Sequence, residues 1–255
     1  MSALFSMDGA SALVTGSSRG IGRALATGLA EAGARVIVHG RDLERTRATA
    51  QAIAAATGGE VHAVAFDVTD TQEIDRGMAE VDDLLGTPDV LVNNAGLQRR
   101  APITEFRDED WDDLVATNLS SAFKCSRRVA AGMIARGSGK IIQIGSVQSL
   151  AARPSIAAYS ATKGGIVMLT KGLTADLAPH GIQVNALAPG YFATELTQAL
   201  VEDAEFSAWV EKRTPAGRWG RTSDLVGPLL FLASAASGFV NGQVLYVDGG
   251  MTSVI

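Results

Sequence analysis

One cysteine, three histidines and no excess of positive charge close off several kinds of chemistry in this 255-residue chain. The lone thiol, Cys125, has no partner for an internal disulfide and falls in a helical pattern where a buried, inert side chain is expected. His39, His62 and His180 are scattered, without metal-ligand spacing, so no metal-dependent mechanism is expected. A net charge of −5 lacks the basic footprint of a nucleic-acid or anionic-membrane binder. Long apolar runs are missing too: the most apolar stretch, PLLFLASAASGFV from Pro228, is too short to cross a bilayer. The N-terminal MSALFSMDGA has neither a basic n-region nor a long apolar core, so an unexported, cytoplasmic protein is expected. No repeat, low-complexity tract or Pro/Ser-rich linker divides the chain, which predicts one domain over 1–255.

What the chain does have is 47% hydrophobic residues in a regular alternation. The runs ALVTG, RVIVHG, HAVAFDV, DVLVNNAG, KIIQIGS, IQVNALAPG and QVLYVDGG are separated by helix-sized segments such as GIGRALATGLAEAGA. Continuous apolar strands between amphipathic helices suit a parallel sheet covered on both faces. The predicted fold is α/β: a single-domain, Rossmann-type, doubly wound parallel sheet of about seven strands. Two short helical patterns after Pro189 break the alternation, and an insertion at about 190–220, past a strand's C-terminal end, sits where a substrate lid would sit.

TGSSRGIG, Thr15 to Gly22, follows the first strand and opens the first helix. Gly16, Gly20 and Gly22 permit a tight turn that aims backbone N–H groups and a helix N-terminus at a pyrophosphate. After the second strand, where an Asp or Glu would bond the ribose of NAD, stand Gly40 and Arg41. With Arg19 in the glycine turn, two guanidiniums and no intervening acid favour NADP(H) over NAD(H). Asp42, two places on, is expected to cap the next helix. The asparagines of LVNNAG need buried partners and are expected to tie strands together beneath a cofactor. Asp67, in FDVT, can accept a bond from an adenine amino group or cap a helix. YSATK places Tyr159 and Lys163 at i and i+4 on one helix face, where the ammonium would lower the phenol pKa and make Tyr159 a general acid and base. Ser146, ending the fifth strand, can donate to a carbonyl oxygen as it gains charge. Rival motifs fail: IGSVQ lacks the second glycine of a nucleophile elbow, and SAFK lacks the S-D-N and K-T-G partners of S-x-x-K enzymes.

TGSSRGIG, LVNNAG, Asn118 in ATNLSSAF, Ser146, YSATK and APGYFATE stand in the order of the short-chain dehydrogenase/reductase family, which the chain resembles over essentially its whole length. The resemblance implies a tetrad of Asn118, Ser146, Tyr159 and Lys163. In it Tyr159 exchanges the proton, Ser146 orients the substrate oxygen, Lys163 holds the nicotinamide ribose and Asn118 binds a water of a proton relay. It implies a cofactor site that takes in Gly16, Ser18, Arg19, Gly20, Ile21 and Gly22, then Arg41, Asp67 and Val68, then Asn94, Ala95 and Gly96. Tyr159, Lys163, Pro189, Gly190 and Thr194 complete it on the nicotinamide side. A homotetramer is implied as well, with QVLYVDGG at an interface. Within the family, NNAGLQRRAPITEF, SVQS, APGYFATELTQALVEDAEF and KRTPAGRWG look like members acting on sugar acids. On that likeness Arg99 and Arg100 would neutralise a carboxylate and Gln148 would bond hydroxyls. The expected substrate set is Arg100, Ser146, Gln148, Tyr159 and Tyr191. Comparable members carry SVQSE, whereas Leu150 follows Ser149 here, removing an acidic contact. A reductase of 3-oxoacyl thioesters or other ketones would share the tetrad; a dinucleotide-sensing regulator would keep the turn and lose it.

Overall fold

Valine, isoleucine and alanine dominate the strand runs without polar alternation, so each strand must be covered on both faces. In the computed structural model, which describes residues 3–254, the strands are β1 Ser11–Val14, β2 Arg35–Gly40, β3 Val61–Ala65, β4 Val90–Asn93, β5 Gly139–Ile144, β6 Ile182–Pro189 and β7 Val244–Val247. They form one seven-stranded sheet in the order β3-β2-β1-β4-β5-β6-β7, every pair parallel. The register sets Leu13 beside Ile37 and Leu91, and Val14 beside Val38 and Val92. Because side chains alternate along a strand, these two sets face opposite sides of the sheet.

Each side has its own core. Val14, Val38 and Val92 pack with Leu25 and Leu29 of α1 (Gly20–Glu31), Ile53 of α2 (Leu43–Thr57) and Leu229 of a late helix (Val226–Ala233). Leu13, Ile37 and Leu91 pack with Ile74 and Val81 of α3 (Thr71–Leu85), Met133 of a long helix (Ser121–Arg136) and Leu177 of another (Ala157–Leu177). In chain order the remaining helices are α4 Asp108–Val115, α5 Ser121–Arg136, α6 Ala157–Leu177, α7 Gln198–Val201, α8 Ala204–Arg213 and α9 Val226–Ala233. Asp42 caps α2 by accepting from the Arg45 N–H at 3.0 Å. At α3 the cap is Asp70, bonded to the Gln72 and Glu73 N–H groups, so the capping role considered for Asp67 is corrected. Among the described residues no helix is long and apolar enough to cross a membrane.

The strand order reverses between β1 and β4, which opens a crevice at their C-terminal ends. The glycine turn leaves β1 there and NNAG leaves β4 beside it. The 190–220 segment, with a 3-10 turn at Glu195–Thr197 followed by α7 and α8, leaves the same end of β6.

Candidate active site

Gly16 and Gly20 have φ of +63° and +56°, a region side chains disfavour. A Cβ at Gly16 would lie 2.8 Å from Ala95 Cα, and one at Gly22 would strike Asn94 Nδ2 and reach the Gly16 carbonyl oxygen at 2.5 Å. At Gly20 it would meet nothing within 4 Å. Two glycines thus let the turn pack, and the third opens onto free space at the N-terminus of α1. That cradle fits a pyrophosphate. Asn94 locks it, its amide donating to the Thr15 and Gly16 carbonyls at 2.9 and 3.0 Å. Asn93 ties β4 to α5 through Ser126 Oγ at 3.0 Å.

His39 also holds this turn, a role the sequence reading missed. The Gly16 N–H donates to its Nδ1 at 3.0 Å, so its Nε2–H is left to donate to the Phe66 carbonyl, also at 3.0 Å. Burial pushes its pKa down to about 4 and keeps the imidazole neutral. A histidine inside the apolar run RVIVHG was the available signal.

Gly40 has a steric reason to lack a side chain: a Cβ there would lie 2.6 Å from Thr46 Oγ1 and 3.2 Å from Ser18 Oγ. Arg41 and Arg19 are exposed at the crevice rim. A carboxylate does come near, since Arg41 Nη1 is 3.9 Å from Asp67 Oδ2. Burial works to raise the Asp67 pKa, but bonds from the Thr69 N–H and hydroxyl and the charge of Arg41 hold it below the usual carboxylate value. Ile21 and Val68 pack into opposite core faces, so their backbones are what they can offer a cofactor.

Ser146 leaves β5 in extended conformation and its Oγ accepts from the Gln148 N–H at 3.1 Å. Tyr159 and Lys163 project from the first turns of α6. Lys163, 5% exposed, donates to the Ile144 carbonyl at 2.7 Å and lies 5.8 Å from the Tyr159 ring centroid. Burial pulls the ammonium pKa down to about 8. The phenol behaves otherwise than the i, i+4 argument predicts. Burial pushes the Tyr159 pKa up, Ser146 and Arg100 pull it back, and Tyr191 adds to the rise. The lysine's hydrogen bond goes to the β5 carbonyl rather than to the phenol.

Asn118 sits in a π-helical turn, Ala116–Ser120, between α4 and α5. The wider turn points its carboxamide inward, where it accepts from the Leu97 N–H at 2.8 Å and donates to the Leu97 carbonyl at 3.0 Å. Gly96 packs here: its Cβ would be 3.3 Å from Asn118 Oδ1 and 4.0 Å from Lys163 Nζ. Asn118 therefore fixes the loop that carries Arg99 and Arg100.

Those two arginines part ways. Arg99 pairs with Asp110 at 3.2 Å and Asp113 at 3.8 Å on α4, which corrects the expectation that it faces a substrate. Arg100 donates to Gln98 Oε1 at 2.8 Å and lies within electrostatic reach of both site tyrosines: partial burial and Arg153 lower its pKa, while Tyr191 and Tyr159 raise it. The Tyr191 ring lies 5.7 to 5.8 Å from Phe206, Trp209 and Trp219, in edge-on geometry, and so ties β6 to α8. The buried Gln148 Oε1 and Tyr191 hydroxyl have no hydrogen-bond partner among the described residues. Pro189 ends β6, Gly190 donates to the Val247 carbonyl at 3.0 Å, and Thr194 forms a capping box with Thr197. Leu150 is 61% exposed. Cys125 is buried and its pKa is pushed up to about 12. Among the described residues no three His, Cys, Asp or Glu side chains gather into a metal site.

Residues 16–252 match the family model described as Enoyl-(Acyl carrier protein) reductase. A gluconate 5-dehydrogenase of Gluconobacter oxydans (strain 621H) is 55% identical over 249 residues, 98% of this chain and 97% of its own. A 5-keto-D-gluconate 5-reductase of Escherichia coli (strain K12) is 48% identical over 251 residues, 98% of each chain. Among solved structures, a gluconate 5-dehydrogenase from Burkholderia cenocepacia J2315, in complex with NADP and tartrate, superposes with a TM-score of 0.96 at 53% identity and 99% coverage of both chains.

Proposed function

The chain belongs to the short-chain dehydrogenase/reductase family, and on that premise we propose that it interconverts D-gluconate and 5-dehydro-D-gluconate with NADP(H). Membership makes it an oxidoreductase acting on CH–OH groups. The observation that carries the substrate is Arg100: a guanidinium within electrostatic reach of Tyr159 and Tyr191 suits a ketone that bears a carboxylate. The names of the relatives support the same reading.

The cofactor, when bound, supplies or accepts the hydride. Gly16, Gly20 and Gly22 cradle its pyrophosphate at the α1 N-terminus, and Arg41 and Arg19 favour a 2′-phosphate. Burial keeps the Tyr159 phenol protonated near neutral pH, the form that donates a proton to a ketone oxygen. Ser146 donates a second hydrogen bond to that oxygen. Lys163, anchored on the β5 carbonyl, holds the nicotinamide ribose, and Asn118 keeps the Leu97–Arg100 loop in place. Arg100 receives the carboxylate, while Gln148 Oε1 and the Tyr191 hydroxyl offer unpartnered atoms to substrate hydroxyls. Residues 190–220 act as the lid. The reading extends to a cytoplasmic homotetramer, for which the exposed Trp111, Phe123, Met168 and Phe239 provide apolar contact surface; light scattering that gives a monomer would contradict it.

The test is comparative. Arg100→Met should lower kcat/KM for 5-dehydro-D-gluconate by roughly 10- to 100-fold, the worth of a charge-assisted contact, and scarcely affect an uncharged cyclic ketone. Equal losses on both, or no parental activity on any sugar acid, would overturn the reading.

A further inference from the structure

Arg153 lies between Ser146 and Tyr159 in the chain, on the β5–α6 connection, and nothing in the proposed chemistry uses it. Its guanidinium stacks over the Phe206 ring of α8, 5.5 Å from the centroid, and its buried Nε has no hydrogen-bond partner among the described residues. Arg99, on the facing loop, is neutralised by Asp110; Arg153 has no ion-pair partner among the described residues. A partly exposed guanidinium of this kind has donors to offer an incoming anion.

The segment that carries Arg153 is strained at one residue. Ser155 adopts φ of +68°, a left-handed conformation that costs a non-glycine residue on the order of 1–2 kcal/mol. Its carbonyl accepts from the Ala101 N–H at 3.3 Å, which stitches the Arg153 segment to the loop of Arg100. Arg153 is close enough to Arg100 that its charge disfavours the Arg100 charge. Tyr191, whose ring packs edge-on against the same Phe206, has a buried hydroxyl with no partner among the described residues. Two neighbouring cations beside a hydroxyl awaiting a partner suit a hydroxylated carboxylate.

We infer that Arg153 is a second specificity residue, which grips the substrate carboxylate together with Arg100 and, through its stack on Phe206, couples the lid helix α8 to the presence of that anion. This rests on the sugar-acid reading for the identity of the substrate, but not for the chemistry of the grip. A carboxylate has two oxygens and about four acceptor positions, enough for two guanidinium forks. An uncharged ketone would leave Arg153 unpaired and give α8 no reason to close.

The experiment uses the NADPH-bound enzyme, D-gluconate as inhibitor of cyclic-ketone reduction, and 5-dehydro-D-gluconate as substrate. Arg153→Met should weaken D-gluconate inhibition and lower kcat/KM for 5-dehydro-D-gluconate by roughly 10- to 100-fold, at least tenfold more than any loss on the ketone. Arg153→Lys should recover part of the loss, because charge returns without the planar fork. Phe206→Leu should raise KM for the acid more than for the ketone. The thermal shift that D-gluconate gives the NADPH complex reads the same binding without turnover, and Arg153→Met should shrink it. Unchanged inhibition and shift in Arg153→Met, or equal losses on acid and ketone, would overturn the inference. If the parent does not reduce 5-dehydro-D-gluconate, yet Arg153→Met weakens D-gluconate binding, the substrate assignment fails and the role of Arg153 stands.

Discussion

At the scale of single residues, the proposed coenzyme preference turns on Arg41. Arg41→Asp replaces a contact to a 2′-phosphate with repulsion, and should shift the ratio of kcat/KM for NADPH over NADH by roughly 10- to 100-fold toward NADH. The lower end is expected, because Arg41 is exposed and shares its charge with Asp67. A parent enzyme that already prefers NADH would contradict the assignment. An Asp at position 40 is no substitute test, since even a Cβ there meets Thr46. His39 gives a pH prediction. Its folded pKa is about 4 against an ordinary imidazole value of 6.5, so between these values the unfolded chain binds more protons. Stability is therefore lost as pH falls from 6.5 toward 4, by on the order of a few kcal/mol, and is retained above 6.5. His39→Asn keeps an acceptor for the Gly16 N–H but cannot titrate, so its urea midpoint should fall less between pH 7 and pH 5 than the parent's. Equal falls would show that His39 is not the group responsible. The motifs made Arg41, Ser146 and Tyr159 legible in the sequence, because each follows a strand end or shares a helix face with a partner. Arg153 and the division between Arg99 and Arg100 were not legible, because they depend on which acid or ring lies across a loop.

Among the elements, the glycine turn separates packing from binding. Gly22→Ala forces a Cβ into Asn94 and the Gly16 carbonyl, whereas Gly20→Ala enters open space at positive φ. Overpacking of this kind costs about 1–3 kcal/mol, so Gly22→Ala should lower Tm by roughly 2–10 °C for a chain of this size. Gly20→Ala should lower Tm less and yet weaken NADPH binding at least as much, because its new methyl stands in the cradle. Scanning fluorimetry with and without NADPH checks both; a Gly20→Ala protein that binds NADPH like the parent would remove the cradle from the site. All seven strands could be read from continuous apolar runs bounded by Gly, Asn or Asp. The π turn at Ala116–Ser120 could not, since ATNLS has ordinary helical composition and only the bonds of Asn118 to Leu97 account for the wider turn. The two helices after Thr194 were visible as patterns, but their attachment through Tyr191, Phe206, Trp209 and Trp219 is a matter of tertiary packing.

Over the whole molecule, the parallel order β3-β2-β1-β4-β5-β6-β7 sends every functional segment to one end of the sheet. The glycine turn, NNAG, Ser146 and the segment after Pro189 each leave a strand there, and α6 brings Tyr159 and Lys163 beneath them. This convergence was implicit in the sequence, because right-handed crossovers between buried parallel strands leave few other arrangements. The central claim is that the assembly serves one proton, carried on the Tyr159 hydroxyl while hydride moves between cofactor and ketone. The most direct test is Tyr159→Phe, assayed for reduction of 5-dehydro-D-gluconate at saturating NADPH, with NADPH affinity measured on the same sample. Turnover should fall by roughly 10²- to 10⁴-fold with NADPH affinity essentially unchanged; turnover within about tenfold of the parent would contradict the claim.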